Sequence, residues 1–120
     1  MIRSELVIVD FRLFLPSAGV RPALIVQNDR DNARMANTIV VQVTTTLRRA
    51  TEDTQLRIDQ KHPAWRVSGL RHPSVINCCN IYVVDQRDVV KTIGRLSSAS
   101  MQTIDICLKI ALGLQYPTTG

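Results

Sequence analysis

Apolar and polar positions follow strand-like patterns through most of the chain and change to a helical period near residue 97. Leu6-Val7-Ile8-Val9 predicts a short buried strand. Residues 11–20 carry Pro16, Ser17 and Gly19 and predict a loop. Phe14 and Leu15 in that loop either cover the sheet or face a partner. Residues 20–44 hold two apolar, β-branched runs joined by a polar link rich in Asn and Asp. Each run reads as a strand, and the link reads as a turn or a single helical turn. Paired as antiparallel neighbours, the two strands would bring Arg21, at the mouth of the first, and Thr44, at the end of the second, to the same edge of the sheet.

Residues 45–49 are polar and basic and leave that second strand as a loop. Gln55-Leu56-Arg57-Ile58-Asp59 alternates strictly and predicts a half-exposed strand. Residues 60–73 contain two prolines, one glycine, both histidines and the lone tryptophan, and read as an irregular connection. Strand character returns over 74–84, with a bulge expected at Cys78-Cys79-Asn80. Residues 85–88 form a turn or short helix, and 89–96 a last strand. Ser97 suits a helix N-cap, with Leu96 and Met101 placed as a hydrophobic staple. The helix is predicted to run to Leu112 and to stop at Gly113.

Along that helix Met101, Ile104, Leu108, Ala111 and Leu112 make one apolar stripe, and Ile106 and Ile110 a second. A surface helix needs only one. Two stripes predict burial against the sheet and against a second subunit. The tail over 117–120 has no pattern and is expected to fray. Many short strands, turn signals and one C-terminal helix predict a small, mostly antiparallel β-barrel with a C-terminal α-helix, one domain spanning 1–120.

Composition narrows the partners. Five aromatic residues among 120 leave the core to Val, Ile and Leu. A net charge of +5 points to an anionic partner, nucleic acid or acidic protein, or simply to a soluble basic protein. Cys78, Cys79 and Cys107 are too few and odd in number for a disulfide framework, and predict a reducing cytoplasm. Glu5 and Asp10 interrupt the apolar run that a signal peptide would need. No apolar stretch approaches membrane-spanning length.

Val20-Arg21-Pro22-Ala23-Leu24-Ile25-Val26-Gln27-Asn28-Asp29, with the strand ending at Thr44, resembles the signature of the MazF/PemK family of toxin ribonucleases. Lys91-Thr92-Ile93-Gly94-Arg95-Leu96-Ser97 and Leu108-Lys109-Ile110-Ala111-Leu112-Gly113-Leu114 match further downstream. The resemblance implies an SH3-like barrel of the MazF/PemK/CcdB toxin fold, usually a homodimer. It implies a sequence-selective endoribonuclease that cuts single-stranded RNA by attack of the ribose 2′-hydroxyl on the adjacent phosphate. No metal or other cofactor is implied, and the protein partner is a small acidic antitoxin of the MazE kind. Two alternatives stay open: a non-enzymatic toxin of the same fold that poisons a topoisomerase, and a catalytically silent member that keeps only the antitoxin surface.

Arg21 is either a solvated arginine at a strand start or, as its place in the motif implies, the cation that holds the scissile phosphate. Thr44 suits a strand in any case; the resemblance makes it a hydroxyl that binds a phosphate oxygen or orients the attacking group. Arg48 and Arg49 read most simply as a solvated pair, and with Thr45 and Thr46 they also make a track for an RNA backbone. Cys78 and Cys79 point to opposite faces of a strand, lack metal-ligand spacing, and read as buried thiols. Some relatives carry acidic and basic catalytic side chains on this strand; here it offers Asn77, Cys78, Cys79, Asn80 and Tyr82. His62 and His72 read as surface or capping histidines, or as an acid or base if folded near Arg21. Trp65-Arg66 either packs in the core or stacks a base.

Overall fold

The computed structural model describes residues 1–13 and 15–114; Phe14 and the tail over 115–120, including the segment expected to fray, lie outside the described residues. Six strands, β1 (Glu5–Asp10), β2 (Val20–Ile25), β3 (Asn37–Thr44), β4 (Gln55–Ile58), β5 (Ser74–Asp85) and β6 (Val89–Arg95), form one antiparallel sheet in the order β4-β5-β3-β2-β1-β6. Helices α1 (Asp29–Arg34), α2 (Trp65–Ser68) and α3 (Ser98–Leu112) lie in the connections and at the C-terminal end, and a 3₁₀ turn spans Gln86–Asp88. The architecture is a mixed α/β fold, a six-stranded antiparallel sheet with a C-terminal helix.

Alternation along the strands feeds two apolar clusters. Leu6, Leu24, Val41, Ile58 and Ile76 pack on one face with Met101, Ile104 and Cys107 of α3. Val7, Val9, Ala23, Ile25, Val40 and Val84 pack on the other, with Phe11 buried among them and Leu15 and Tyr82 against them. Of the two outcomes open for the loop before β2, Leu15 thus takes the covering one. Strands β1, β2 and β3 are buried on both faces, which is why they read as nearly unbroken apolar runs.

The β2–β3 link is the single helical turn that its Asn and Asp suggest. Asn28 caps α1 by accepting from the Asp31 N–H at 2.9 Å. Behind it, buried Asn32 donates to the Gln27 carbonyl at 2.9 Å and accepts from the Gln27 side chain and the Thr38 hydroxyl. Gln27, Asn28 and Asp29 of the signature are therefore structural: they close the hairpin at the end remote from Arg21.

The bulge in β5 is wider than the single inserted residue that is usual. Val41 sits opposite Ile81 and the next residue, Gln42, opposite Asn77, so Cys78, Cys79 and Asn80 have no ladder partners on β3, and Asn80 reaches that strand only through its side chain, which donates to the Gln42 Oε1. The connection over 60–73 is less irregular than expected, since it contains α2. Gly69 ends that helix in the left-handed region at φ +73°. A side chain there would meet the Ile93 carbonyl, and one at Gly94 would meet the Ser68 carbonyl, so α2 and β6 touch backbone to backbone.

Helix α3 starts and stops as predicted. Ser97 accepts from the Ser100 N–H at 3.2 Å, and Gly113 and Leu114 donate to the carbonyls of Ile110 and Lys109 in a Schellman arrangement. Its apolar stripe needs correction at both chemistry and length. Cys107 joins Met101 and Ile104 in the buried face, whereas Leu112 is 58% exposed because the last turn lies beyond the core cluster. The second stripe stands off to the side, with Ile106 50% and Ile110 40% exposed in the single chain.

Candidate active site

The ladder between β2 and β3 pairs Ala23 with Gln42. Continued two residues in the same antiparallel register, it sets Arg21 opposite Thr44. Both line a cavity of about 360 Å³ walled by the loop residues Phe11, Leu15 and Ala18 and by Tyr82 of β5. The Arg21 Nε donates to the Ala18 carbonyl at 2.6 Å. Its two terminal NH2 groups have no protein partner among the described residues, so the donor fork is held at one corner and open at the other two. Thr44 Oγ1 accepts from the Thr46 N–H at 3.1 Å, which leaves its own proton available to donate. Thr45 and Thr46 reach the same cavity. Among the described residues no Asp or Glu lines it, so an anion entering meets an arginine and hydroxyl groups without a competing carboxylate.

A sequence profile of the family described as PemK-like, MazF-like toxin of type II toxin–antitoxin system matches residues 2–112. The chain belongs to this family. It is 32% identical over 96 residues to the endoribonuclease EndoA of Bacillus subtilis, covering 80% of this chain and 78% of that protein. Identity to the endoribonuclease MazF4 of Mycobacterium tuberculosis is 30% over 101 residues, covering 82% and 85%. Among solved structures, a mycobacterial endoribonuclease in complex with its cognate antitoxin superposes with a TM-score of 0.79 at 26% identity, covering 98% of this chain and 99% of that one. MazF in the MazE–MazF complex of Deinococcus radiodurans shares the fold at 16% identity, with a TM-score of 0.71 over 96% of this chain and 97% of that one.

Within this PemK-like toxin, the residues singled out from sequence divide cleanly. Arg21, Thr44, Thr45 and Thr46 come together. Arg48 and Arg49 stand outside the cavity: Arg49 forks onto Glu52 at 2.7 and 2.9 Å, and Arg48 is exposed. The Arg49 guanidinium pulls the Glu52 carboxyl below the usual carboxylate range. The β5 bulge carries no acid or base. Asn77 Oδ1 accepts from the Gln55 side chain at 2.8 Å and from the Cys79 N–H at 3.0 Å, so its oxygen is occupied in holding the bulge. Burial pushes the Cys78 thiol up to about 12, and Cys107 is raised for the same first reason. Cys79 corrects the expectation of buried thiols, because it is exposed on the bulge.

His62 caps the turn before α2, its Nδ1 accepting from the Ala64 N–H at 3.0 Å. Trp65 is partly buried and packs against the α3-side core. His72 is exposed and lines a second cavity adjoining the first. Sequence reasoning missed Gln42 and Ser74, which also line the first cavity. Gln42 was visible only as one polar position in an apolar strand. Ser74 reaches the site because the β3–β5 register, continued from Thr44 opposite Val75, sets it beside Thr45.

Proposed function

We propose that Arg21 and Thr44 form the reaction centre of an endoribonuclease that cuts single-stranded RNA selectively by sequence, as the toxin of a type II toxin–antitoxin pair. The observation that carries this reading is their apposition across β2 and β3, at a cavity with no carboxylate to repel phosphate. The ribose 2′-oxygen attacks the adjacent phosphorus, the bond to the 5′-oxygen of the next nucleotide breaks, and a cyclic phosphate and a 5′-hydroxyl result. The 2′-proton leaves as the new bond forms, and the departing 5′-oxygen gains one. Arg21 stabilises the charge that builds on the equatorial oxygens, because its open donors are already in place and need no reorganisation. Thr44 donates to a phosphate oxygen or orients the 2′-hydroxyl. Groups able to relay a proton inside the cavity are the hydroxyls of Thr44, Thr45, Thr46, Ser74 and Tyr82.

Single strands suit the site because unpaired bases can be splayed and read, and the partly buried Tyr82 ring, backed by buried Phe11 at 5.4 Å, offers an aromatic surface for one. Mycobacterial and Deinococcus relatives have been solved with antitoxins. On that footing an acidic antitoxin is the partner here, the sheet curls into the small barrel of this fold, and the chain works in the cytoplasm as a homodimer.

One observation favours a second reading, a toxin that binds a topoisomerase or antitoxin without cutting: the bulge of β5 supplies no side chain for acid–base work. A single assay separates the two. Purified protein is incubated with long single-stranded RNA, with and without chelator, beside Arg21→Ala. Cleavage by the wild type, unaffected by chelator and lost in the variant, supports the nuclease. Intact RNA in every lane would sink it.

A further inference from the structure

The cavity at Arg21 and Thr44 adjoins a second one of about 570 Å³. Arg21 lies opposite Val9 and so shares the sheet face of Val7 and Ala23. Pro22 lies opposite Ile8, and Ile8 opposite Lys91 of β6, so these project from the other face. The two cavities share Pro22, Thr45 and Ser74. They meet around the ends of the strands, and a single flexible chain could pass from one to the other over that rim.

Arg71 and Lys91 bring two cations and His72 an imidazole to the second cavity, and among the described residues no carboxylate lines it. Their placement is built. The backbone contact of Gly69 with Ile93 and of Gly94 with Ser68 seats the end of α2 on β6, so the segment that follows brings Arg71 to the same cavity as Lys91 and Thr92. His72 is tied down through its backbone, because the hydroxyl of buried Ser74 donates to the His72 carbonyl at 2.8 Å. Elsewhere arginines such as Arg12, Arg34, Arg49, Arg57 and Arg87 are neutralised by nearby carboxylates. Among the described residues neither Arg71 nor Lys91 has such a partner. Two unneutralised cations in a concavity that shares its rim with the reaction cavity suit an anion that continues from it.

We propose that Arg71, His72 and Lys91 form a second phosphate-binding subsite, gripping the RNA backbone on one flank of the bond cut at Arg21 and Thr44. This rests on the nuclease reading above. The subsite engages a phosphate that does not react, so it acts on binding and register, and Thr45 and Ser74 bridge the two positions at the rim.

The test uses RNAs extended on the 5′ or the 3′ side of the cleavage position, and matching RNAs with a 2′-deoxy residue there. For the wild type, extension on one side lowers KM. In Arg71→Gln/Lys91→Gln that gain disappears, and KM on the extended RNA rises about tenfold or more, the scale of a lost hydrogen bond to a charged group. His72→Ala weakens the same flank. Binding of the deoxy RNA falls less steeply with salt, the slope of log K against log salt shrinking by about 0.7 for each phosphate contact removed. Arg30→Gln, at the far end of the β2–β3 hairpin, removes a charge without changing slope or flank dependence. Unchanged KM and unchanged slopes in the double variant would overturn the subsite while leaving the nuclease intact. A wild type that binds deoxy RNA through Arg71 and Lys91 but cuts no RNA would overturn the nuclease while keeping the subsite.

Discussion

Arg21 can be truncated without opening the core, because it is exposed and its side chain's one hydrogen bond among the described residues goes to the Ala18 carbonyl. Arg21→Ala is expected to leave the fold intact and to lower kcat by about 10²–10³, the scale of losing one preorganised donor to a developing anion. Circular dichroism beside single-turnover cleavage checks both halves. Thr44→Ala is expected to cost a large but incomplete share of activity, since the hydroxyl also holds the Thr46 N–H and orients more than it transfers. Wild-type rates in that variant would return Thr44 to strand structure. A third residue-scale expectation concerns thiols. Only Cys79 is exposed, while Cys78 and Cys107 are buried and their thiolates disfavoured. Native protein should therefore take up one equivalent of an alkylating reagent at neutral pH, and unfolded protein three. Rapid native labelling of Cys78 or Cys107 would mean that the seam between β5 and α3 opens.

At the scale of elements, α3 has two apolar faces with different work to do. Ile104 is fully buried against the sheet, whereas Ile106 is half exposed. Ile104→Ala is expected to destabilise the chain by about 2–5 kcal/mol, as cavity-forming changes in cores do. Ile106→Asp should leave the unfolding free energy of the monomer within about 0.5 kcal/mol, the usual range for a surface change. Urea titrations at low protein concentration compare the two, and equal losses would contradict the separate roles. The contact between α2 and β6 makes a sharper case. An alanine at Gly94 would place its methyl group 2.2 Å from the Ser68 carbonyl oxygen. Gly94→Ala is thus expected to cost about 1–3 kcal/mol, as overpacking does, and to displace the segment carrying Arg71.

For the whole molecule, the exposed Ile106, Ile110, Leu112 and Leu114 concentrate apolar surface at one end of α3. Burying an aliphatic side chain is worth roughly 1.5–3 kcal/mol, so a two-fold pairing that uses each patch twice is favoured. Dimerisation doubles the charge of +5 per chain to +10. An acidic, partly disordered antitoxin segment could fold onto that surface and cover the cavity at Arg21. RNA and antitoxin should then compete, and both should bind more weakly as salt rises. Sedimentation of the toxin alone, followed by cleavage in the presence of antitoxin, tests this. A monomer at micromolar concentration would defeat the helix reasoning. An antitoxin that binds tightly without slowing cleavage would defeat the shared surface.

Local pattern and hairpin geometry were enough to place much of this protein from its sequence. Period-two apolar runs marked the strands, and Ser97 and Gly113 marked the ends of α3, because those signals act over a few residues. The meeting of Arg21 and Thr44 was legible for the same reason: a short link between two strands leaves antiparallel pairing as the simple solution. Contacts between distant segments were not legible. The bulge at Cys78-Cys79-Asn80 could be suspected, but its width is set where β5 changes register between β3 and β4. Arg49 looked available to RNA until Glu52 was found across one turn from it, and nothing in the sequence singled out Arg71, which comes to one cavity with Lys91 only because α2 packs on β6. Side chains far apart in the chain become neighbours through strand order and register. Both are settled by which apolar faces bury together, and that is a property of the assembled sheet and helix rather than of any one stretch.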